Sequence, residues 1–179
     1  MKPVKEPGEA SGSVAPRSFP RNVGYARVFT AQASPVSPVE VYDALYSRGF
    51  LPGFTDPAGE DTPLADAGLA EAEFTVGGEG YRILSMTSSR GSGCLIRVER
   101  CSDEDLPDDY LVRRAVHKPK LQYRIQAGGP SNSDRNLCEN LAEALMLMTS
   151  GVVEIGGLGT KGNRPRVYNS SWVGSIKTR

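Results

Sequence analysis

Residues 133–166 read SDRNLCENLAEALMLMTSGVVEIGGLGTKGNRPR, and this stretch decides the fold. Leu137, Leu141, Ala144, Leu145 and Met148 recur at helical spacing and form one apolar stripe, with Glu139 and Glu143 facing water. Ser131 or Ser133 suits the N-cap, and Asp134 sits in the first turn, where it opposes the helix dipole. Gly151 is the expected left-handed stop. Residues 152–155 (VVEI) then read as a short buried strand, and residues 156–166 as a glycine-rich loop that ends in Lys and Arg. A helix that stops at glycine and turns into an apolar strand needs a sheet to cover.

Upstream, that sheet can be read strand by strand. Residues 25–33 (YARVFTAQA) are β-branched and aromatic between turn residues. A second helix starts at Ser37-Pro38. Ser37 and Glu40 form a capping box, Val36 and Val41 are spaced as a staple, Val41, Ala44 and Leu45 form the inner stripe, and Gly49 stops the helix. Residues 51–70 carry Pro52, Gly53, Pro57 and Gly59 and read as a long irregular loop, with one helical turn at 64–70. Residues 73–76 and 81–87 flank Gly77-Gly78-Glu79-Gly80, which predicts a hairpin. Residues 94–100 and 120–127 alternate in hydropathy; in the latter Leu121, Tyr123 and Ile125 face in, and Gln122, Arg124 and Gln126 face out.

The predicted order is β, α, β, β, β, β, α, β. It places the chain in the α+β class: a mostly antiparallel sheet with two helices on one face, a ferredoxin-like split βαβ with an extra hairpin. The 179 residues support one domain over 23–168. Residues 1–22, rich in Pro, Gly and Ser, read as a disordered leader, and 169–179 as a basic tail.

Lys plus Arg equals Asp plus Glu at 21 each, so overall charge favours neither nucleic acid nor a membrane surface. Locally the balance breaks. Residues 54–79 hold seven acids and no base, residues 101–110 hold five acids and no base, and after Glu154 every charge is positive. Cys94, Cys101 and Cys138 are an odd, widely spaced set, which predicts reduced thiols in a cytoplasmic, bacterial protein. No apolar run has the length of a secretory signal or a membrane span.

The candidate sites are few. Residues 157–162 match G-x-G-x-x-G, but Pro165 follows where a dinucleotide fold needs a helix, and Lys161 precedes Gly162 instead of Ser or Thr. What survives is an anion nest of the Gly156, Gly157 and Gly159 amides with Lys161, Arg164 and Arg166. Against it stands a plain β-hairpin joining Val152 to Tyr168. His117, the single histidine, lies between Arg114 and Pro119 with no nucleophile motif near it, so no catalytic residue is assigned. The cysteines lack paired zinc spacing, and neither a metal nor a cofactor is expected. The carboxylates Asp103, Glu104, Asp105, Asp108 and Asp109 lack the pattern of a calcium loop; together with the acids of 56–79 they are the expected contact surface for a partner. Tyr168 and Trp172 among the tail cations offer weak grounds for nucleic-acid binding.

The run 142–153 (AEALMLMTSGVV) resembles the helix that ends at Thr-x-Gly and enters a Val-Val strand in small α+β domains of bacterial toxin and mobile-element systems, immunity-type and uncharacterised alike. The resemblance covers roughly a tenth of the chain and carries over no catalytic residue. It implies a non-enzymatic protein-interaction module, immunity-like or accessory. The alternatives are a small anion- or nucleotide-binding module centred on 156–166 and nucleic-acid binding through the tail.

Overall fold

The computed structural model describes residues 25–56, 62–86, 93–156 and 166–169. The expected leader, most of the glycine loop and the tail beyond Asn169 lie outside these residues. Seven strands form one sheet: β1 (Tyr25–Thr30), β2 (Pro52–Thr55), β3 (Tyr81–Ser85), β4 (Gly93–Arg100), β5 (Leu121–Ala127), β6 (Val152–Gly156) and β7 (Arg166–Asn169). Their order is β2-β3-β4-β5-β1-β6-β7, with every strand pairing antiparallel. The helices are α1 (Pro38–Tyr46), α2 (Asp66–Glu71), α3 (Tyr110–Ala115) and α4 (Asn132–Thr149). Asn169 pairs with Val152, so the sheet takes in one residue of the expected tail.

β5 and β6 both run antiparallel to β1, which lies between them. They are therefore parallel to each other, and β5-α4-β6 is a split βαβ unit. β1-α1-β2 is a wider crossover that leaps over three strands. The expected α+β class and split topology hold, with β2 and β3 extending one edge and β7 the other.

Local chemistry explains the two crossover helices. Ser37 caps α1: its hydroxyl accepts from the Glu40 amide at 3.3 Å, and the Glu40 carboxylate accepts from the Ser37 amide at 2.7 Å. Gly49 takes φ 86° just past the end of α1, as a glycine stop requires. Ser131 caps α4 by accepting from the Asp134 amide at 3.1 Å. At the far end the left-handed residue is Ser150 (φ 50°, ψ 33°), not the expected Gly151. Gly151 serves close approach instead: a Cβ there would lie 2.5 Å from the Phe29 carbonyl oxygen, so any side chain would push β6 off β1.

α4 packs across β1, β4, β5 and β6, and α1 packs on α4 and β2. Between helices and sheet lies the main core: Ala26, Val28, Ile96, Val98, Tyr123 and Ile125 below, Leu137, Leu141 and Leu145 above, with Val41 and Leu45 of α1 closing one side. Leu121, Tyr123 and Ile125 are fully buried, as their alternation predicted. A second, smaller core lies on the opposite face, where Leu106, Val112 and Val116 cover Phe29, Cys101 and Val152.

Three local expectations are corrected. Residues 52–55, read as loop because of Pro52 and Gly53, form the edge strand β2; Pro is tolerated there because an edge N–H has no ladder partner. Residues 73–76 do not form a hairpin with β3. A strand has two edges, and those of β3 are taken by β2 and β4, so Val76 is left with one parallel bridge to Val98. The acidic loop after β4 contains a short 3-10 turn (Asp103–Asp105) and α3, which a six-residue pattern could not announce.

Candidate functional site

The acidic segment is built from two caps. The Asp105 carboxylate accepts from the Ser102 amide at 2.7 Å and the Ser102 hydroxyl at 2.9 Å. Asp109 caps α3, accepting from the Leu111 amide at 2.8 Å. Asp108 lies 3.6 Å from Arg113. Asp103 and Glu104 are exposed and point away from the second core. So the five expected partner-binding acids fall together, and three of them also hold the segment in shape. Charge patterning did not reveal what they surround: Tyr110 is 71% exposed and Leu111 is 42% exposed, on the outer side of a helix whose Val112 is fully buried.

The glycine-loop candidates are mostly undescribed: Gly157, Gly159, Lys161 and Arg164 lie outside the described residues. Of Arg166 the backbone is described, as the first residue of β7. Gly156 ends β6 opposite Tyr25, and the Tyr25 ring occupies the space a Cβ would need. Its missing side chain is therefore used for packing. Burial raises the Tyr25 phenol above its usual range, with the Glu154 carboxylate adding to the effect. β6 and β7 pair antiparallel, so the loop joins the two arms of a hairpin.

His117 is exposed in the turn before β5. Cys94, Cys101 and Cys138 are free and buried. Burial pushes the Cys138 thiol up to about 12 and the Cys101 thiol to about 11, and it pushes Cys94 well above its ordinary value. Thiols held protonated in this way are poor nucleophiles and poor metal ligands. Among the described residues no three His, Cys, Asp or Glu side chains converge as a metal site. No helix among them is long and apolar enough to cross a membrane.

One surface was missed. The sheet face opposite α1 and α4 carries Arg27 of β1, Arg124 of β5 and Arg97 of β4 at directly opposed register positions. Glu154 stands on the outer side of Arg27, with 2.8 Å between carboxylate and guanidinium. Glu99 reaches Arg124 at 3.4 Å and accepts from the Gln122 amide at 3.1 Å. The Arg97 Nε is buried and meets no acceptor. In the next row Tyr25, Gln126, Leu95 and Arg82 follow in register. These residues are scattered from 25 to 126, so no charge run marks them. Alternation in residues 120–127 set Arg124 outward, but only the pairing register aligns it with the others.

No family model matches this chain, nor does any curated protein or solved structure.

Proposed function

We propose that this protein is a non-catalytic binding domain for another protein, immunity-like or accessory, working in the bacterial cytoplasm. The supporting observation is the pair Tyr110 and Leu111, exposed within a ring of carboxylates from Asp103, Glu104, Asp105, Asp108 and Asp109. An exposed aromatic beside a leucine is a typical interface anchor, because burying both removes apolar area from water at low side-chain entropy cost. Surrounding acids steer a basic partner and reject acidic ones. The segment is also preorganised. Leu106, Val112 and Val116 root it in the second core, and the Asp105 and Asp109 caps fix its backbone, so docking need not order a loop. The buried, protonated thiols suit a reducing compartment.

The test uses the purified chain as bait in extract of its source cells, beside a Tyr110→Ala, Leu111→Ala variant. The expected result is one stoichiometric partner, rebound in purified form by the native chain, lost with the variant, and weakened by salt. Recovery of no stoichiometric protein overturns the reading, as does equal recovery by the variant.

A further inference from the structure

We infer that the sheet face formed by β1, β4 and β5 is a binding surface for the phosphate backbone of single-stranded nucleic acid, with Arg97, Arg124 and Arg27 as its phosphate contacts. This surface is separate from the acidic segment and does not rest on the protein-binding proposal.

Three observations carry it. First, Arg27, Arg124 and Arg97 stand abreast on adjacent strands, one inter-strand spacing of about 4.8 Å apart. Like charges directly opposite one another in a sheet are destabilising, so the row is costly for the fold alone. Second, its compensation is incomplete. Glu154 serves Arg27 and Glu99 serves Arg124, yet Arg97 has no ion-pair partner among the described residues, and its Nε is buried without an acceptor. A guanidinium left one N–H short of satisfaction is completed by an oxyanion that takes two parallel bonds, as phosphate does. With Arg82, the face holds four arginines against two glutamates, although the chain as a whole is neutral.

Third, the neighbours suit a strand of bases. Tyr25, Gln126 and Leu95 lie in the adjoining row, each partly exposed. A phenol ring and an aliphatic side chain give bases something to stack on, and the Gln126 amide both donates and accepts along a base edge. A broad sheet cannot enter a duplex groove, which admits a helix or a two-stranded ribbon, whereas an open sheet is a natural platform for splayed bases. Arg27 is also held in place: it stacks 5.3 Å from the centre of the Phe29 ring, so the row is partly preorganised.

The experiment is fluorescence anisotropy of the full chain with a labelled, mixed-sequence RNA or DNA single strand of about 16 nucleotides, the upper site size of one such platform. Saturable binding is expected, with log K falling against log salt at a slope of about −2, the value for three single-strand phosphate contacts. Arg97→Ala with Arg124→Ala should weaken binding at least about tenfold, the scale of losing two charge-assisted contacts. Arg48→Ala, on the helical layer, should leave it unchanged, as should the Tyr110→Ala, Leu111→Ala variant. If the double arginine variant does not fold, Arg97→Gln alone is used, and photo-cross-linking of a thiouridine strand to the native chain should map to the β1 and β5 peptides. No binding at about 50 mM salt overturns the inference. So do undiminished binding by the Arg97 variants, preference for duplex of the same sequence, and equal competition by polyglutamate, which would mark the face as a site for acidic protein.

Discussion

Asp134 in the first turn of α4 reaches across the fold to Gly93 at the start of β4: its carboxylate accepts the Gly93 amide at 2.8 Å and the Ser131 hydroxyl at 2.6 Å. One buried side chain thus joins a helix cap to a strand 41 residues earlier. The helix that covers the sheet and the strand under it are registered by a single acid.

Replacing Asp134 with Ala leaves the Gly93 N–H buried without an acceptor and removes the partner of the cap. Stability should fall by about 2 kcal/mol in urea unfolding. Ser131→Ala should cost about 1 kcal/mol. The double variant should lose less than the sum, because both residues belong to one network. Full additivity would show that the shared geometry contributes nothing.

Tyr123 offers a second buried tie. Its hydroxyl accepts from the Val36 amide at 3.0 Å, fixing the chain between β1 and α1. Tyr123→Phe keeps the ring and orphans that amide, so it should cost about 1–2 kcal/mol. Loss of hydrogen-exchange protection at Val36 is the direct readout.

The Ser37–Glu40 box makes stability depend on acid pH. Hydrogen bonds from the Ser37 amide and then the Ser37 hydroxyl hold the Glu40 carboxyl below its usual range. A depressed folded value means that the unfolded chain protonates first. The contribution is therefore present above the ordinary carboxylate range and is lost as pH falls through the folded value. The Tm difference between native protein and Glu40→Gln should shrink as pH drops from about 6 to below about 4. A constant difference would contradict the charge-assisted cap.

The thiols act at the other end of the scale. Their folded values are raised, to about 12 for Cys138 and about 11 for Cys101, so the unfolded chain ionises first as pH climbs. Stability should fall above about pH 8.5, the range in which a free thiol titrates. Cys138→Ala should flatten that fall. At neutral pH, iodoacetamide should label none of the three until the protein unfolds.

Much of this architecture is legible in particular residues. The Ser37–Glu40 spacing, the stripe from Leu137 to Leu145 and the alternation from Leu121 to Ala127 each rest on a local period, and the structure follows all three. What escaped is non-local. β2 is a strand only because the β3 edge accepts it, and residues 73–76 are not a strand only because that same edge is already occupied. The outer position of Tyr110 shows only when Val112 is seen rooted against Phe29 and Val152.

By itself, then, the chain's order of residues determined its elements, caps and buried faces, because these depend on contacts a few positions apart. Tertiary structure alone decided which outward residues stand together. Arg27, Arg97 and Arg124 become a row through strand register, and register is set by the packing of the whole sheet under α4. A neutral composition hides such a surface, since charge acts through distance in space and not along the chain.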